Sequence, residues 1–228
     1  MVYVMSDIHG CYDKYIEMLD LIEFNPNDTL YILGDIIDRG KQNIAMIRDV
    51  MSRDNVVLLM GNHEDMMVES KKPAGYMDKE TWYSNGGKKT DKEFKYKIST
   101  EEQLKILKFL SNLPYELEIE VNERVFLLVH GSYKVGNSVL KPEKGSRENK
   151  EDIIWNRVRG NDKGLPDKTV IFGHTPTCEY QSCLPYSIWY SESGNLIGID
   201  CGMAGYSRGN KNSRLGCLRL NDMKEFYV

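Results

Sequence analysis

Thr29-Leu30-Tyr31-Ile32-Leu33-Gly34-Asp35-Ile36-Ile37-Asp38-Arg39-Gly40 joins a short apolar run to a loop that carries two aspartates and an arginine between glycines. An aliphatic run of this length, closed by glycine, reads as a buried strand. Upstream, Val2 to Met5 is a similar run and ends in Asp7-Ile8-His9-Gly10. Downstream, Val56 to Met60 is a third and ends in Gly61-Asn62-His63-Glu64. Between these runs, Tyr15, Met18, Leu19 and Ile22 recur at helical spacing, as do Ile44, Ile47, Val50 and Met51. Strands alternating with helices predict βαβ units.

Further along, the pattern changes. Lys71 to Lys97 is polar and lysine-rich and reads as irregular or lid-like, with Trp82 as a packing residue rather than a substrate platform. Thr100-Glu101-Glu102-Gln103 reads as a capping box, with Leu104, Leu107, Phe109 and Leu110 behind it and Pro114 ending the helix. Tyr115 to Val121 and Arg124 to Val129 predict a hairpin around Asn122-Glu123, and Lys141 to Lys150 a charged loop. Strands are expected at Thr169 to Phe172, Ser187 to Glu192, Leu196 to Asp200 and Leu215 to Leu220. So many strands in the second half argue for two packed sheets and against one doubly wound sheet.

The chain has 228 residues, enough for a substantial core, and is read as one domain over 1–228. Its 30 Lys plus Arg against 34 Asp plus Glu leave a net charge of −4. That balance lacks the bulk attraction of a nucleic-acid binder, so an anionic substrate must be captured by a local site. No run approaches the roughly 18 apolar residues of a membrane span. The N-terminus has no basic segment or small-residue cleavage site, so a cytoplasmic protein is expected. The five cysteines form no CxxC spacing; Cys178 and Cys183 are read as incidental thiols rather than a soft-metal site.

The chain has four histidines, His9, His63, His130 and His174. Each sits just past an apolar run beside Gly or Asn, in Asp7-Ile8-His9-Gly10, Asn62-His63-Glu64, His130-Gly131 and Gly173-His174-Thr175. One such histidine is ordinarily a satisfied structural residue, and one Asp before Gly is ordinarily a turn. All four together, with Asp35 and Asp38 at a fifth strand end, point to convergence at the carboxyl edge of a sheet, where ligands gather. Carboxylate, imidazole and amide oxygen together suit manganese, iron or zinc, and no cysteine joins the set.

These motifs, Asp7-x-His9, Gly34-Asp35-x-x-Asp38-Arg39-Gly40, Gly61-Asn62-His63-Glu64, His130 and Gly173-His174, resemble the calcineurin-like metallophosphoesterases of the phosphoprotein phosphatase type. The likeness is strongest to the small bacterial and bacteriophage lambda-like protein phosphatases, through Trp82, Asn85-Gly86-Gly87, Trp155-Asn156-Arg157 and Ile199-Asp200-x-Gly202. It implies an α/β (α+β) fold of four layers, αββα, with a central β-sandwich flanked by helices. It implies that Asp7 and His9 bind one metal, that Asn62, His130 and His174 bind another, and that Asp35 bridges them. His63 would be the general acid, oriented by Asp38, and Arg39 and Arg157 would hold the phosphate, with Arg159 close to the latter. Manganese is the first expectation for both ions, with iron or zinc as alternatives, and a hydroxide shared by the two would attack phosphorus in line. Met60 stands where eukaryotic members commonly have Arg, and their longer C-terminal segments have no room here, so regulatory subunits of their kind are not expected.

The implied activity is Ser/Thr protein phosphatase, with phosphotyrosine as a second substrate, acting as a monomer on phosphoprotein or phosphopeptide. A diadenosine tetraphosphatase shares most of the motifs but often lacks the aspartate corresponding to Asp38. A nucleic-acid end-processing phosphatase is disfavoured by the charge. A module that binds metal or phosphopeptide without catalysis would have lost a ligand or the acid, and here none is missing.

Overall fold

The computed structural model describes residues 1–135, 138–139 and 150–228. In chain order, its first half contains β1 (Val2–Met5), α1 (Tyr12–Leu21), β2 (Thr29–Ile32), α2 (Asn43–Ser52), β3 (Val56–Leu58) and α3 (Asn62–Lys71). Then come α4 (Lys79–Ser84), α5 (Lys88–Tyr96), α6 (Thr100–Ser111), β4 (Glu116–Val121), β5 (Arg124–Val129), β6 (Lys134–Val135) and β7 (Ser138–Val139). The remainder is α7 (Lys150–Trp155), β8 (Thr169–Phe172), β9 (Trp189–Tyr190), β10 (Leu196–Gly198), α8 (Met203–Tyr206), β11 (Gly216–Arg219) and β12 (Lys224–Tyr227). No helix among these residues is long and apolar enough to cross a membrane.

Two five-stranded sheets form, in the orders β12-β11-β1-β2-β3 and β4-β5-β8-β10-β9. Alternation along the strands builds three apolar layers. Val4, Leu33 and Leu218 from the first sheet meet Phe126, Leu128, Ile171 and Ile197 from the second. Tyr3, Met5, Leu30 and Ile32 face the other way, onto Tyr15, Met18, Ile44, Ile47 and Leu110 of the helices. On the far side, Val129, Val170 and Phe172 pack on Ile153 of α7. The result is the expected αββα arrangement. Each fully buried aliphatic side chain here stabilises the fold by about 1.5–3 kcal/mol.

Register places the functional edge. Met5 lies beside Ile32 and Ile32 beside Leu58 in the three parallel strands of the first sheet. Val129, Phe172 and Gly198 are level in the second. Six strands therefore end together, and the loops after them carry Asp7, Asp35, Asn62, His130, His174 and Asp200.

Four local expectations are corrected. Lys71 to Lys97 is not irregular: it holds α4 and α5. The inward residues of α5 are Thr90, Asp91, Glu93 and Phe94, so its buried face is mostly polar and shows no apolar stripe. The cap of α6 is Ser99, which accepts from the Glu102 amide, one residue earlier than the expected box. Behind that cap Ile106 and Leu110 are buried while Leu104 is exposed. The strand expected over Ser187 to Glu192 is cut to Trp189–Tyr190, and β12 forms where none was expected, as a half-exposed edge on β11. The Asn122-Glu123 hairpin forms as read, with both residues left-handed (φ 50° and 63°). The charged loop expected from Lys141 lies outside the described residues until Lys150 opens α7.

Candidate functional site

The loops at this edge bend sharply. Asp7, His9, Asp35, Asp38, Arg39 and His174 all have left-handed backbone, with φ of 52°, 51°, 56°, 71°, 66° and 62°. Such conformations are unfavourable for side-chain-bearing residues and persist where the surroundings over-determine them. Here backbone bonds do so: Asp7 N, His9 N and Gly10 N donate to Gly34 O, Asp35 O and Ile36 O at 3.2, 2.9 and 2.8 Å. The Glu64 carboxylate accepts from Asp35 N, Ile36 N and Gly61 N at 2.7, 3.0 and 3.1 Å, pinning one loop to the start of α3. Across the sheets, His174 N donates to Asp7 Oδ2 at 2.9 Å. At Gly173 a Cβ would run into Ser6 and Asp7, so only glycine lets the second sheet approach this closely.

All ten residues singled out from the sequence lie at this edge, though not in equal depth. Asp7, His9, Asp35, Asp38, Asn62, His63 and His130 are buried, His174 is half-buried, and Arg157 is exposed at the rim. Two groups of side chains offer donor atoms close enough to share an ion: His9, Asp35 and His63, and Asp35, His130 and His174. Asp35 belongs to both. Its Oδ2 lies 3.8 Å from His9 Nε2 and 3.8 Å from His63 Nε2, and its Oδ1 lies 3.4 Å from His130 Nε2. Asn62 Oδ1 closes the second group, 3.0 Å from His130 Nε2 and 3.1 Å from His174 Nδ1. Asp7 is more peripheral, with Oδ1 4.0 Å from His9 Nε2 and Oδ2 bound by Ser6.

The four rings are anchored in two ways. His9 Nδ1 is 3.0 Å from Ile37 O, His130 Nδ1 is 2.6 Å from Leu33 O, and the His174 ring bonds the Trp155 backbone. A carbonyl acceptor fixes the neutral tautomer and turns the other nitrogen's lone pair inward, as a metal ligand requires. His63 differs: its Nδ1 is 2.7 Å from the Asp38 carboxylate, a partner that favours a proton on the ring. Its Nε2 is buried at the centre of the site without a hydrogen-bond partner.

Asp38 is itself held from all sides. Trp82 Nε1 donates to Oδ2 at 2.8 Å, Thr90 Oγ1 donates to Oδ1, and Asp38 N donates to Asn43 Oδ1 at 2.8 Å. Asn43 is in turn fixed by Glu93 at 3.0 Å. The segment expected as a lid is thus a buttress for this carboxylate. Trp82, Thr90, Asn43, Glu64, Ser6 and Glu93 have supporting roles that pattern reading missed. Of these, only Glu64 and Trp82 lay inside recognised motifs.

Burial sets the electrostatics. It pushes Asp7 up to about 6, Asp35 and Asp38 to about 7, Glu64 to about 8, and Asp200 well above the usual carboxylate range. Burial likewise lowers His9, His63, His130 and His174, helped by the neighbouring cations. Crowded carboxylates that resist ionisation, beside neutral imidazoles, form an environment that bound divalent cations would relieve. Arg39 reaches into it, with Nη1 2.6 Å from His9 Nε2. Arg157 Nη1 donates to His174 O at 3.0 Å and Thr175 Oγ1 at 3.2 Å; Arg159 stands beside it on the rim. Among the described residues, neither group able to share an ion includes a cysteine.

Comparison with known proteins agrees with this geometry. Serine/threonine-protein phosphatase 2 of Salmonella typhimurium is 29% identical over 185 residues, covering 76% of this chain and 78% of that protein. The symmetrical bis(5'-nucleosyl)-tetraphosphatase of Haemophilus ducreyi is 39% identical over 64 residues, covering 27% of this chain and 24% of that protein. A crystal structure provisionally called a diadenosine tetraphosphatase superposes with a TM-score of 0.63 at 18% identity, over 100% of this chain and 92% of that one. A cold-active protein-tyrosine phosphatase of a Shewanella species follows at a TM-score of 0.55 and 17% identity, over 100% of this chain and 80% of that one. Residues 1–196 match the family model described as calcineurin-like phosphoesterase, and the chain belongs to that family of metal-dependent phosphoester hydrolases.

Proposed function

We propose that the chain is a Ser/Thr protein phosphatase, active also on phosphotyrosine, working as a monomeric cytoplasmic domain over 1–228. The observation that carries the reading is the sharing of Asp35 between two donor groups, with the buried, orphaned His63 Nε2 3.8 Å from its carboxylate. Asp7 and His9 would hold one divalent ion, Asn62, His130 and His174 the other, and Asp35 both. Manganese fits this mixture of oxygen and nitrogen donors, as do iron and zinc. Such a pair supplies Lewis-acid charge and a water acidic enough to be nucleophilic near neutral pH.

The distances alone would group His63 with His9 in place of Asp7. The motif order supports the other assignment; a ligand ring can rest on a carboxylate as well as on a carbonyl, but the Asp38 carboxylate also favours the protonated ring that an acid requires. Burial works against a charged His63 ring and an ionised Asp38 works for it; in the protonated state His63 gives the Nε2 proton to the departing oxygen and is left neutral. Arg39 and Arg157 hold the phosphate oxygens, which requires the Arg39 guanidinium to leave His9 Nε2. The long Salmonella relative supports phosphoprotein as substrate, whereas the tetraphosphatase relative matches over a short stretch. Turnover of phosphoserine peptide, phosphotyrosine peptide and diadenosine tetraphosphate with added manganese tests the reading. Phosphopeptide cleavage is expected to dominate, and dominant cleavage of the dinucleotide would overturn it.

A further inference from the structure

The turn between α4 and α5 lies against Arg39. Arg39 N donates to Gly86 O at 3.3 Å, and Lys89 Nζ donates to Arg39 O at 3.0 Å. From Arg39 outward, a cleft of about 540 Å³ runs along the start of α5 to the end of α8. Its walls carry Arg39, Lys88, Lys89, Lys92 and Arg208, and no carboxylate. Among the described residues none of these five forms an ion pair, whereas Lys71 and Lys95, on the other side of the same region, are paired with Asp91. The concentration is local, because the chain as a whole has a net charge of −4. It is also one-sided. The cleft on the opposite flank of Arg39 includes Asp13 and Glu17 as well as lysines, and Lys14 there is tied to Glu17 at 2.7 Å.

We propose that this cleft is a subsite for anionic groups flanking the scissile phosphate, and that it selects phosphopeptides with acidic or further phosphorylated residues beside the reacting one. The inference rests on the protein phosphatase reading above. Arg39 lies in both the reacting site and the cleft, so a peptide whose phosphate is held by Arg39 extends a neighbouring residue toward Lys88 and Lys92. A neutral neighbour gains nothing there, while a carboxylate or second phosphate gains several screened attractions. Each exposed charge pair contributes little, but a few together give discrimination on the order of tenfold. The selectivity should weaken with salt, since the Debye length shortens to about 3 Å at 1 M.

The test compares two phosphoserine peptides of equal length, one with glutamates and one with glutamines beside the phosphoserine. For the wild-type chain with manganese, kcat/KM is expected to be about tenfold higher for the acidic peptide at low salt, mostly through KM. In the double variant Lys88→Glu/Lys92→Glu the ratio should fall to one or below, with a thermal midpoint like that of the wild type. Equal rates on the two peptides in the wild type, or a ratio unchanged in the variant, overturn the subsite. A variant that loses diadenosine tetraphosphate hydrolysis while keeping its peptide ratio also overturns it, by assigning the cleft to polyphosphate. Failure of the wild type to hydrolyse either peptide would instead remove the protein phosphatase reading beneath it.

Discussion

Replacing Thr90 by Val should disable the site from a distance. The two side chains have nearly the same shape, and Thr90 is fully buried, so the change removes the hydroxyl with little change in volume. That hydroxyl donates to Asp38 Oδ1. A hydrogen bond to a charged group contributes about 1.5–3 kcal/mol. Burial already raises Asp38 to about 7, against the opposing pull of Thr90, Trp82 and Arg39. At about 1.4 kcal/mol per pH unit, loss of the Thr90 bond carries the carboxyl upward by about one to two units. Near pH 7 the ionised fraction then drops about 5- to 50-fold, and His63 loses the anion that holds its proton. The assay is the pH dependence of kcat on p-nitrophenyl phosphate at saturating manganese. The acid limb of the Thr90→Val profile should move up by about one to two units, and Thr90→Ser should restore it. Profiles of Thr90→Val and wild type that superimpose would refute the claim that α5 sustains the acid.

In His63→Asn, turnover should fall by about 10²–10⁴ while bound metal stays near the wild-type content, and loss of metal would move His63 into the ligand set. Burial works to raise Asp91, but its bonds from Lys71, Lys95 and Tyr83 prevail and hold it down at about 2. Its stabilisation is therefore full above the ordinary Asp value and lost as pH falls toward about 2. The urea midpoint of Asp91→Asn should lie below that of wild type at pH 6 and converge with it near pH 2; a gap that persists at pH 2 would contradict the ion-pair account. Gly173→Ala should weaken metal retention by forcing Asp7 aside. A manganese-induced thermal shift equal to wild type would show that the loop absorbs the methyl group.

The site was more legible in the sequence than its supports were. Asp7, His9, Asp35, Asn62, His130 and His174 follow strands whose apolar runs are unmistakable, and glycines mark the bends that bring them together. The helices that brace Asp38 left no such trace. Thr90, Asp91 and Glu93 face inward on α5 because they bond to Asp38, Lys71 and Asn43, so periodicity of apolar residues was absent where burial was real. Trp82 shows the same limit: packing was expected for it, but its bond to Asp38 depends on a partner 44 residues away. β12 escaped because a half-exposed edge strand of four residues needs only β11 beside it, not an apolar face.

The central claim is that one carboxylate serves two ions. Metal content by mass spectrometry of wild type and Asp35→Asn, measured beside their turnover, tests it most directly. The account predicts two divalent ions per wild-type chain, and loss of both, with loss of activity, in the variant. Two ions retained by Asp35→Asn with turnover intact would contradict it.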